Sequence, residues 1–244
     1  MLINGHTLYV ETHGSTADPP VIFLHHGLGC VRSWKSQLTA VAAAGFYTIA
    51  YDRWGYGKSS PRQQFSMPAF PDDLEDLRLL LEMMDVAQVS LVGHSDGGTI
   101  AMYFAAAHPE LVSHLVTVAA HVYVEAKMQP GLMDIRQTYL NNADFKRKFK
   151  RQHGDNAEAV FQNWFNGWYR VENLSWDMRP QIQQITCPTL VIQGMEDEYS
   201  TPQHARQIAV AIPGAALWLI PSAGHMLPKE CATEFNHRLI EFLR

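Results

Sequence analysis

The sequence predicts an α/β fold in which a mostly parallel central sheet is covered by helices. First, apolar runs typical of buried strands alternate with segments of helical periodicity along most of the 244 residues. Second, a serine flanked by glycines, in "LVGHSDGGTI" (91–100), follows one such run and precedes a helix rich in small residues. Third, the alternation stops between residues 121 and 180 and then resumes, which indicates a helical insertion.

The order of elements follows from the apolar runs and from the turn residues between them. Asn4-Gly5 predicts the turn of a hairpin, Gly45 ends a helix, and Pro71 stands at a plausible helix start. Before the interruption we expect a hairpin over 2–13, strands over 20–26, 46–52, 89–93 and 112–120, and helices over 33–44, 71–85 and 96–107. After it we expect strands over 188–194 and 216–221, and helices that begin at Pro202 and at about residue 229.

These elements divide the chain into a core domain, residues 1–120 and 181–244, and a helical cap, residues 121–180. The cap is inserted after the sixth strand, above the carboxyl edge of the sheet, where ligands bind in open α/β folds. The cap holds three of the six tryptophans, which we expect either to anchor it to the sheet or to line a pocket. The basic run "FKRKFKR" (145–151) predicts a solvated helix face.

Composition limits the class of function. A hydrophobic content of 47% predicts a globular protein, and a formal charge of −5 gives no reason to expect a nucleic-acid surface. The scattered cysteines form no disulfide framework or zinc motif, so we expect no metal and no cofactor. The start "MLINGHTLYV" lacks a signal-peptide pattern, and no apolar run reaches the ~18 residues that cross a bilayer. We therefore expect a cytoplasmic protein whose partner is a small molecule.

Ser95 is the candidate nucleophile, because it lies in a G-x-S-x-G motif between a strand and a helix. On such a turn the hydroxyl stands above the sheet, at a helix N-terminus that stabilises developing negative charge. Gly93 and Gly97 leave room for neighbouring backbone. The alternative is an ordinary glycine-rich helix cap, since serine is a favoured capping residue.

A serine nucleophile needs a base and an acid that orients the base. His225 follows the last predicted strand, so it lies at the carboxyl edge of the sheet and is the candidate base. Asp197 lies three residues beyond Gly194, in the loop after the preceding strand, and is the candidate acid. Its neighbours Glu196 and Glu198 are expected to be solvated. The chain order serine, acid, histidine is the one found in α/β-hydrolases.

An oxyanion hole completes the predicted site. One backbone N–H belongs to Asp96, the residue after the nucleophile, and the other to Leu28 in "HHGLG" (25–29). Three nearby histidines are expected to anchor loops and not to react: His25, His26 and His94.

These motifs resemble the α/β-hydrolase superfamily over essentially the whole chain. "HHGLG", "YDRWGYGKS", "GHSDGG", "GMEDEYSTP" and "AGHMLP" occur in the order and approximate spacing of that family. "GHSDGG" followed by "AAAHPELV", "HVYV" and an aromatic lid is most similar to the valacyclovir hydrolase (biphenyl hydrolase-like) group, whose members hydrolyse esters, including amino-acid esters. The resemblance implies that Ser95, Asp197 and His225 form a triad. Trp54 departs from the family pattern and is expected to reshape the pocket wall.

The expected function is hydrolysis of carboxylic esters through an acyl-enzyme. Asp96 places a carboxylate beside the nucleophile, so either it selects amine-bearing esters or it only favours the start of the helix. The other candidate substrate-binding residues are Tyr123, Trp164, Trp168 and Met226. Carbon–carbon bond hydrolases and cofactor-free perhydrolases share the same triad and remain alternatives. A ligand receptor with slow turnover is a further alternative.

Overall fold

The computed structural model describes residues 1–244 and contains one seven-stranded sheet and one short hairpin. The nine strands are β1 (Leu2–Ile3), β2 (His6–Thr7), β3 (Tyr9–His13), β4 (Pro20–Leu24), β5 (Tyr47–Asp52), β6 (Val89–His94), β7 (Val112–Val118), β8 (Thr189–Gly194) and β9 (Ala216–Ile220). The sheet has the order β3-β5-β4-β6-β7-β8-β9, and every neighbouring pair is parallel except β3 with β5. The predicted fold class is therefore confirmed.

Helices cover both faces of the sheet. The ten α-helices are α1 (Lys35–Ala43), α2 (Pro71–Met83), α3 (Asp96–Ala107), α4 (Met128–Asn141), α5 (Ala143–His153), α6 (Ala157–Tyr169), α7 (Arg179–Ile182), α8 (Gln203–Ala211), α9 (Leu227–Glu230) and α10 (Ala232–Leu243). No helix is both long and apolar enough to span a bilayer.

The core consists of two apolar clusters because successive side chains of a strand point to opposite faces. Val21 and Phe23 of β4 pack in the cluster that holds α1 and α10, whereas Ile22 and Leu24 pack in the larger cluster with α2 and α3. The larger cluster extends into α4, α5 and α6. The central strands β5, β6 and β8 are buried along their whole length, which explains their continuous apolar runs.

The observed elements differ from the expected ones mainly at the two ends of the chain. The N-terminal segment forms three strands instead of two, because β3 leaves the hairpin and pairs with β5. The helical insertion therefore follows the seventh strand along the chain, β7. The single helix expected near the C-terminus is divided into α9 and α10 at Cys231.

Candidate active site

Ser95 occupies a sharp turn between β6 and α3. Its backbone has φ 55° and ψ −120°, a left-handed conformation that costs free energy in a residue other than glycine. The surrounding chain is packed too closely for side chains at the flanking glycines. A Cβ on Gly97 would clash with the carbonyl oxygen of Leu24, and one on Gly93 would clash with that of Gly97. The G-x-S-x-G spacing is thus required by packing as well as by the turn.

The structure brings the predicted base and acid together at the carboxyl edge of the sheet. His225 Nδ1 donates to Asp197 Oδ2 over 2.8 Å. The backbone N–H groups of Tyr199 and Ser200 donate to Asp197 Oδ1, at 2.8 and 3.0 Å. Ser95 and His225 line the same cavity, although no hydrogen bond joins the Ser95 hydroxyl to the imidazole in this conformation. Such bonds often tighten only when a substrate is bound.

The two ionisable groups shift each other's pKa in the direction that general-base chemistry requires. Burial alone would raise the pKa of Asp197, but the nearby His225 imidazole outweighs burial and holds that pKa well below its usual range. Burial alone would lower the pKa of His225, but the Asp197 carboxylate outweighs it and raises that pKa above the ordinary value. Asp197 is therefore ionised at neutral pH and fixes the tautomer of His225.

Two further side chains hold His225 in place through its backbone. His94 Nε2 donates to the carbonyl oxygen of His225 over 2.9 Å, as expected for a histidine that supports the turn. The backbone N–H of His225 donates to Glu198 Oε2 over 2.8 Å. Glu198 is exposed, as expected, and it also accepts this hydrogen bond, which depends on the tertiary fold. Glu196 is exposed, as expected.

Two backbone N–H groups are available for an oxyanion. Asp96 is the first residue of α3, where N–H groups have no partner within the helix. The Leu28 N–H makes no hydrogen bond with the surrounding loop or with side chains. The Leu28 carbonyl, on the other side of the same residue, accepts from His153 Nε2 over 3.2 Å. His153 Nδ1 accepts from the Gly57 N–H over 3.0 Å, which fixes its neutral tautomer.

His153 is a functional candidate that the sequence analysis missed. It is the last residue of α5, it is buried, and it joins the helical insertion to two loops of the core. Desolvation lowers its pKa to about 4. No local sequence motif predicts the contacts of His153, because its partners are 96 and 125 residues away in the chain.

The Asp96 carboxylate is buried and partly paired, an arrangement that the two sequence-based alternatives did not include. It is 1% exposed, and Oδ1 accepts a hydrogen bond from Trp168 Nε1 over 3.0 Å. Oδ2 lies 3.8 Å from the buried Arg53 guanidinium and has no hydrogen-bond partner within the protein. Burial raises the pKa of Asp96 to about 6, against the opposing effect of Arg53. No sequence pattern predicted that Arg53 would lie beside this charge.

The cavity above Ser95 has a volume of about 860 Å³ and lies between the core and the insertion. Five of the predicted oxyanion and substrate-binding residues line it: Leu28, Asp96, Trp164, Trp168 and Met226. His121, which was not predicted, also lines it. His121 is buried, and neither of its ring nitrogens has a hydrogen-bond partner within the protein.

Two predicted pocket residues lie elsewhere. Tyr123 does not line the cavity; its ring stacks on His204 with centroids 4.1 Å apart, because the chain turns outward after His121. Trp54 is not part of the pocket wall either, since it stacks on His6 with centroids 4.2 Å apart. Both assignments were wrong because each of these aromatic side chains stacks on a histidine ring and does not line the cavity.

Comparison with known proteins agrees with this architecture. A family model described as the alpha/beta hydrolase fold matches residues 19–147 and 123–230, so the chain belongs to the α/β-hydrolase family. The chain is 27% identical to the mouse (Mus musculus) protein Serine hydrolase BPHL, over 99% of this chain and 84% of that protein. The expected resemblance to the superfamily and to the biphenyl hydrolase-like group is thereby confirmed.

Solved structures extend the comparison to the fold. The enol-lactonase from Burkholderia xenovorans LB400 has a TM-score of 0.80 and 20% identity, over 100% of this chain and 98% of that one. The bromoperoxidase from Bacillus anthracis has a TM-score of 0.75 and 26% identity, over 98% of this chain and 95% of that one.

Proposed function

We propose that this protein is a serine hydrolase that cleaves carboxylic esters through an acyl-enzyme. The observation that carries the proposal is the 2.8 Å hydrogen bond between His225 and Asp197, in the cavity that Ser95 lines from its turn. In the proposed reaction His225 takes the Ser95 proton as the hydroxyl oxygen attacks the ester carbonyl. The protonated imidazole then gives this proton to the departing alkoxide, and the acyl group stays on Ser95.

The second half of the reaction uses the same groups. His225 removes a proton from water, whose oxygen attacks the acyl carbon, and the acid leaves as the Ser95 oxygen regains a proton. The Leu28 and Asp96 N–H groups stabilise the carbonyl oxygen each time it becomes anionic. Removing one donor of this kind typically costs about a hundred- to a thousandfold in kcat. In this proposal residues 121–180 act as a lid that covers the acyl-enzyme.

Turnover of p-nitrophenyl butyrate tests the proposal. We expect the wild-type protein to hydrolyse it, and Ser95→Ala to lose at least about a thousandfold of the rate. Ser36→Ala is a matched control, since this serine also lines the cavity but lies on α1. Retention of full activity in Ser95→Ala would contradict the assignment of the nucleophile.

We further propose that Asp96 favours esters with an ammonium group on the acyl part. The supporting observation is that Asp96 Oδ2, close to Ser95, has no hydrogen-bond partner within the protein. The Arg53 guanidinium lies 3.8 Å from Oδ2 and offsets part of its negative charge. The test compares phenylalanine ethyl ester with ethyl 3-phenylpropanoate. In Asp96→Asn we expect the ratio of kcat/KM values to fall about tenfold, which corresponds to one lost ion pair of about 1.4 kcal/mol. An unchanged ratio contradicts the idea.

A perhydrolase or a carbon–carbon bond hydrolase remains a second candidate on the same three side chains. The structural similarity to a bromoperoxidase, at 26% identity, favours the perhydrolase as a candidate. Peroxide-dependent bromination and cleavage of ring-fission diketones, each measured beside p-nitrophenyl butyrate, separate the three activities. If either reaction exceeded ester hydrolysis in kcat/KM, ester cleavage would not be the main activity. Tight ligand binding without turnover would instead indicate a receptor.

A further inference from the structure

The entrance of the cavity is positively charged, although the whole chain carries a formal charge of −5. Four exposed basic side chains line the cavity, and they come from three separate elements of the fold. These residues, called the basic entrance below, are Arg32 and Lys35 next to and in α1, Lys148 in α5, and Lys229 in α9.

None of these four cations is neutralised by a neighbouring acid. No ion pair or side-chain hydrogen bond involves any member of the basic entrance, whereas other basic residues nearby are paired, such as Arg147 with Asp144 at 2.8 Å. The nearest acidic residue in sequence, Glu230, is engaged elsewhere, because it accepts from the backbone N–H groups of Gly224 and Met226. No ion pair therefore offsets the four charges along the cavity lining.

The rest of the lining does not offset this charge. Asp96 is the one carboxylate among the lining residues; it is buried beside Ser95 and faces the Arg53 guanidinium. Between these two ends the walls are mainly apolar and include Leu132, Ile135 and Phe149. A cleft with charges of one sign and apolar walls focuses the electrostatic potential and raises the local concentration of an oppositely charged ligand.

We propose that the substrate carries an anionic group, a carboxylate or a phosphate, that binds the basic entrance while the ester carbonyl reaches Ser95. This inference rests on the proposed ester hydrolysis and names the substrate class for the same site. The apolar walls contact the chain or ring that joins the two groups. The cations come from α1 and α9 of the core and from α5 of the insertion. An anion bound at the entrance would therefore also link these three helices.

Two matched ester pairs test the proposal from both sides of the scissile bond. The first pair is mono-p-nitrophenyl adipate and p-nitrophenyl hexanoate, which differ by a carboxylate on the acyl chain. The second pair is 4-acetoxybenzoate and methyl 4-acetoxybenzoate, which differ by a carboxylate on the leaving group. Comparing the anionic-to-neutral ratio of kcat/KM between variants cancels the intrinsic reactivity of each ester, and the pair that responds shows which half of the substrate lies at the entrance.

The variant Lys35→Glu/Lys148→Glu reverses charge at one position in the core and one in the insertion, both in the cavity lining. At about 50 mM ionic strength we expect its anionic-to-neutral ratio to fall about tenfold in at least one pair, and the effect to shrink in 0.5 M NaCl. The matched control is Lys150→Glu/Arg151→Glu, which makes the same change of charge on α5 at exposed positions outside the cavity lining. We expect this control to keep the wild-type ratio within about twofold. The neutralising variant Lys35→Gln/Lys148→Gln gives a smaller fall in the same direction.

The possible outcomes distinguish a failure of the anionic substrate class from a failure of the proposed ester hydrolysis. If p-nitrophenyl hexanoate is hydrolysed and the ratio stays at its wild-type value in both pairs, the anionic substrate class is wrong and ester hydrolysis stands. An equal fall in the control variant would mean that the surface of α5 attracts anions generally, as at an acidic lipid surface, and would also overturn the proposal. If the wild-type protein hydrolyses none of the four esters, the proposed function fails first.

Discussion

At the scale of single residues, the proposed reaction makes activity depend on pH through the His225–Asp197 pair. The base acts only when neutral, and Asp197 raises the pKa of His225 above its ordinary value near 6.5. We therefore expect kcat/KM for p-nitrophenyl butyrate to rise with pH through a midpoint above 6.5 and then to level off. Asp197→Asn removes the charge, so the midpoint moves to lower pH, and the activity falls about ten-thousandfold because the favoured tautomer is lost.

The neighbouring Glu196 provides the control for this profile. It is exposed and its side chain makes no hydrogen bond, so Glu196→Gln should keep the wild-type midpoint and plateau. A shift of similar size in Glu196→Gln would show that loop charge in general, and not the hydrogen-bonded carboxylate, controls the titration of His225.

His121 leads to a second prediction at this scale. Both of its ring nitrogens are buried without a protein partner, and burial lowers its pKa to about 3, so the ring is neutral at pH 7. A buried polar group without a hydrogen bond costs about 1–3 kcal/mol. His121→Phe keeps an aromatic ring of similar size, so we expect Tm in a thermal melt to rise by about 2–4 °C. A lower Tm would mean that the nitrogens are satisfied in the folded protein.

The three proposed triad residues could be picked out from the sequence because local patterns carry the information. Ser95 and its glycines lie within five positions, and the order of Asp197 and His225 follows from the order of the strands. Arg53 beside Asp96 could not be foreseen, because their contact depends on how β5 and α3 approach each other across the sheet. The sequence alternatives for Asp96 therefore did not include a compensating cation.

At the scale of secondary-structure elements, α5 supports the oxyanion loop through its last residue. His153 donates to the Leu28 carbonyl, so losing this bond should displace the Leu28 N–H while the substrate pocket stays in place. We expect His153→Leu to lower kcat for p-nitrophenyl butyrate about ten- to a hundredfold with little change in KM. His153→Gln offers a donor and an acceptor, so it should recover part of kcat.

Comparing KM with kcat distinguishes this positioning role from a merely structural one. If His153→Leu only loosened the insertion, KM and Tm would change while kcat stayed near the wild-type value, and His153→Gln would not restore kcat. Equal kcat in all three proteins would show that the Leu28 loop holds its shape without α5.

The elements themselves were predicted well wherever burial imposes a simple pattern. The strands β4 to β8 and the helix α3 follow the apolar runs, because strands covered on both faces are apolar along most of their length. The division between the hairpin and β3 was missed, because the turn signal at Asn4-Gly5 cannot tell which strand a third segment will pair with. The pairing of β3 with β5, about 40 residues away, depends on the tertiary structure.

At the scale of the whole molecule, burial makes many histidines harder to protonate. It holds the pKa of seven histidines below the ordinary value of 6.5: His25, His26, His94, His114, His121, His153 and His204. In the unfolded chain these seven would take up protons as the pH falls through 6.5, whereas in the folded protein they would do so only at lower pH. Protonation therefore favours unfolding.

Three buried carboxyls act in the opposite direction. Burial raises the pKa values of Asp52, Asp76 and Asp96, the last two to about 6, so the folded protein holds these protons at a pH where the unfolded chain releases them. Because seven histidines outnumber three carboxyls, the unfolded chain binds a net excess of protons between pH 6 and 4.5. Each net proton changes the free energy of unfolding by about 1.4 kcal/mol per pH unit.

We therefore expect the free energy of unfolding to fall between pH 6 and 4.5, by about 2 kcal/mol for each net proton, against the 5–15 kcal/mol typical of a domain. Urea titrations followed by tryptophan fluorescence at pH 8, 6 and 4.5 measure this loss. His204→Gln, which removes one buried histidine away from the catalytic pair, should reduce the pH slope by about one proton. A free energy that stays constant or rises towards pH 4.5 would mean that the buried carboxyls, and not the histidines, dominate the proton balance of folding.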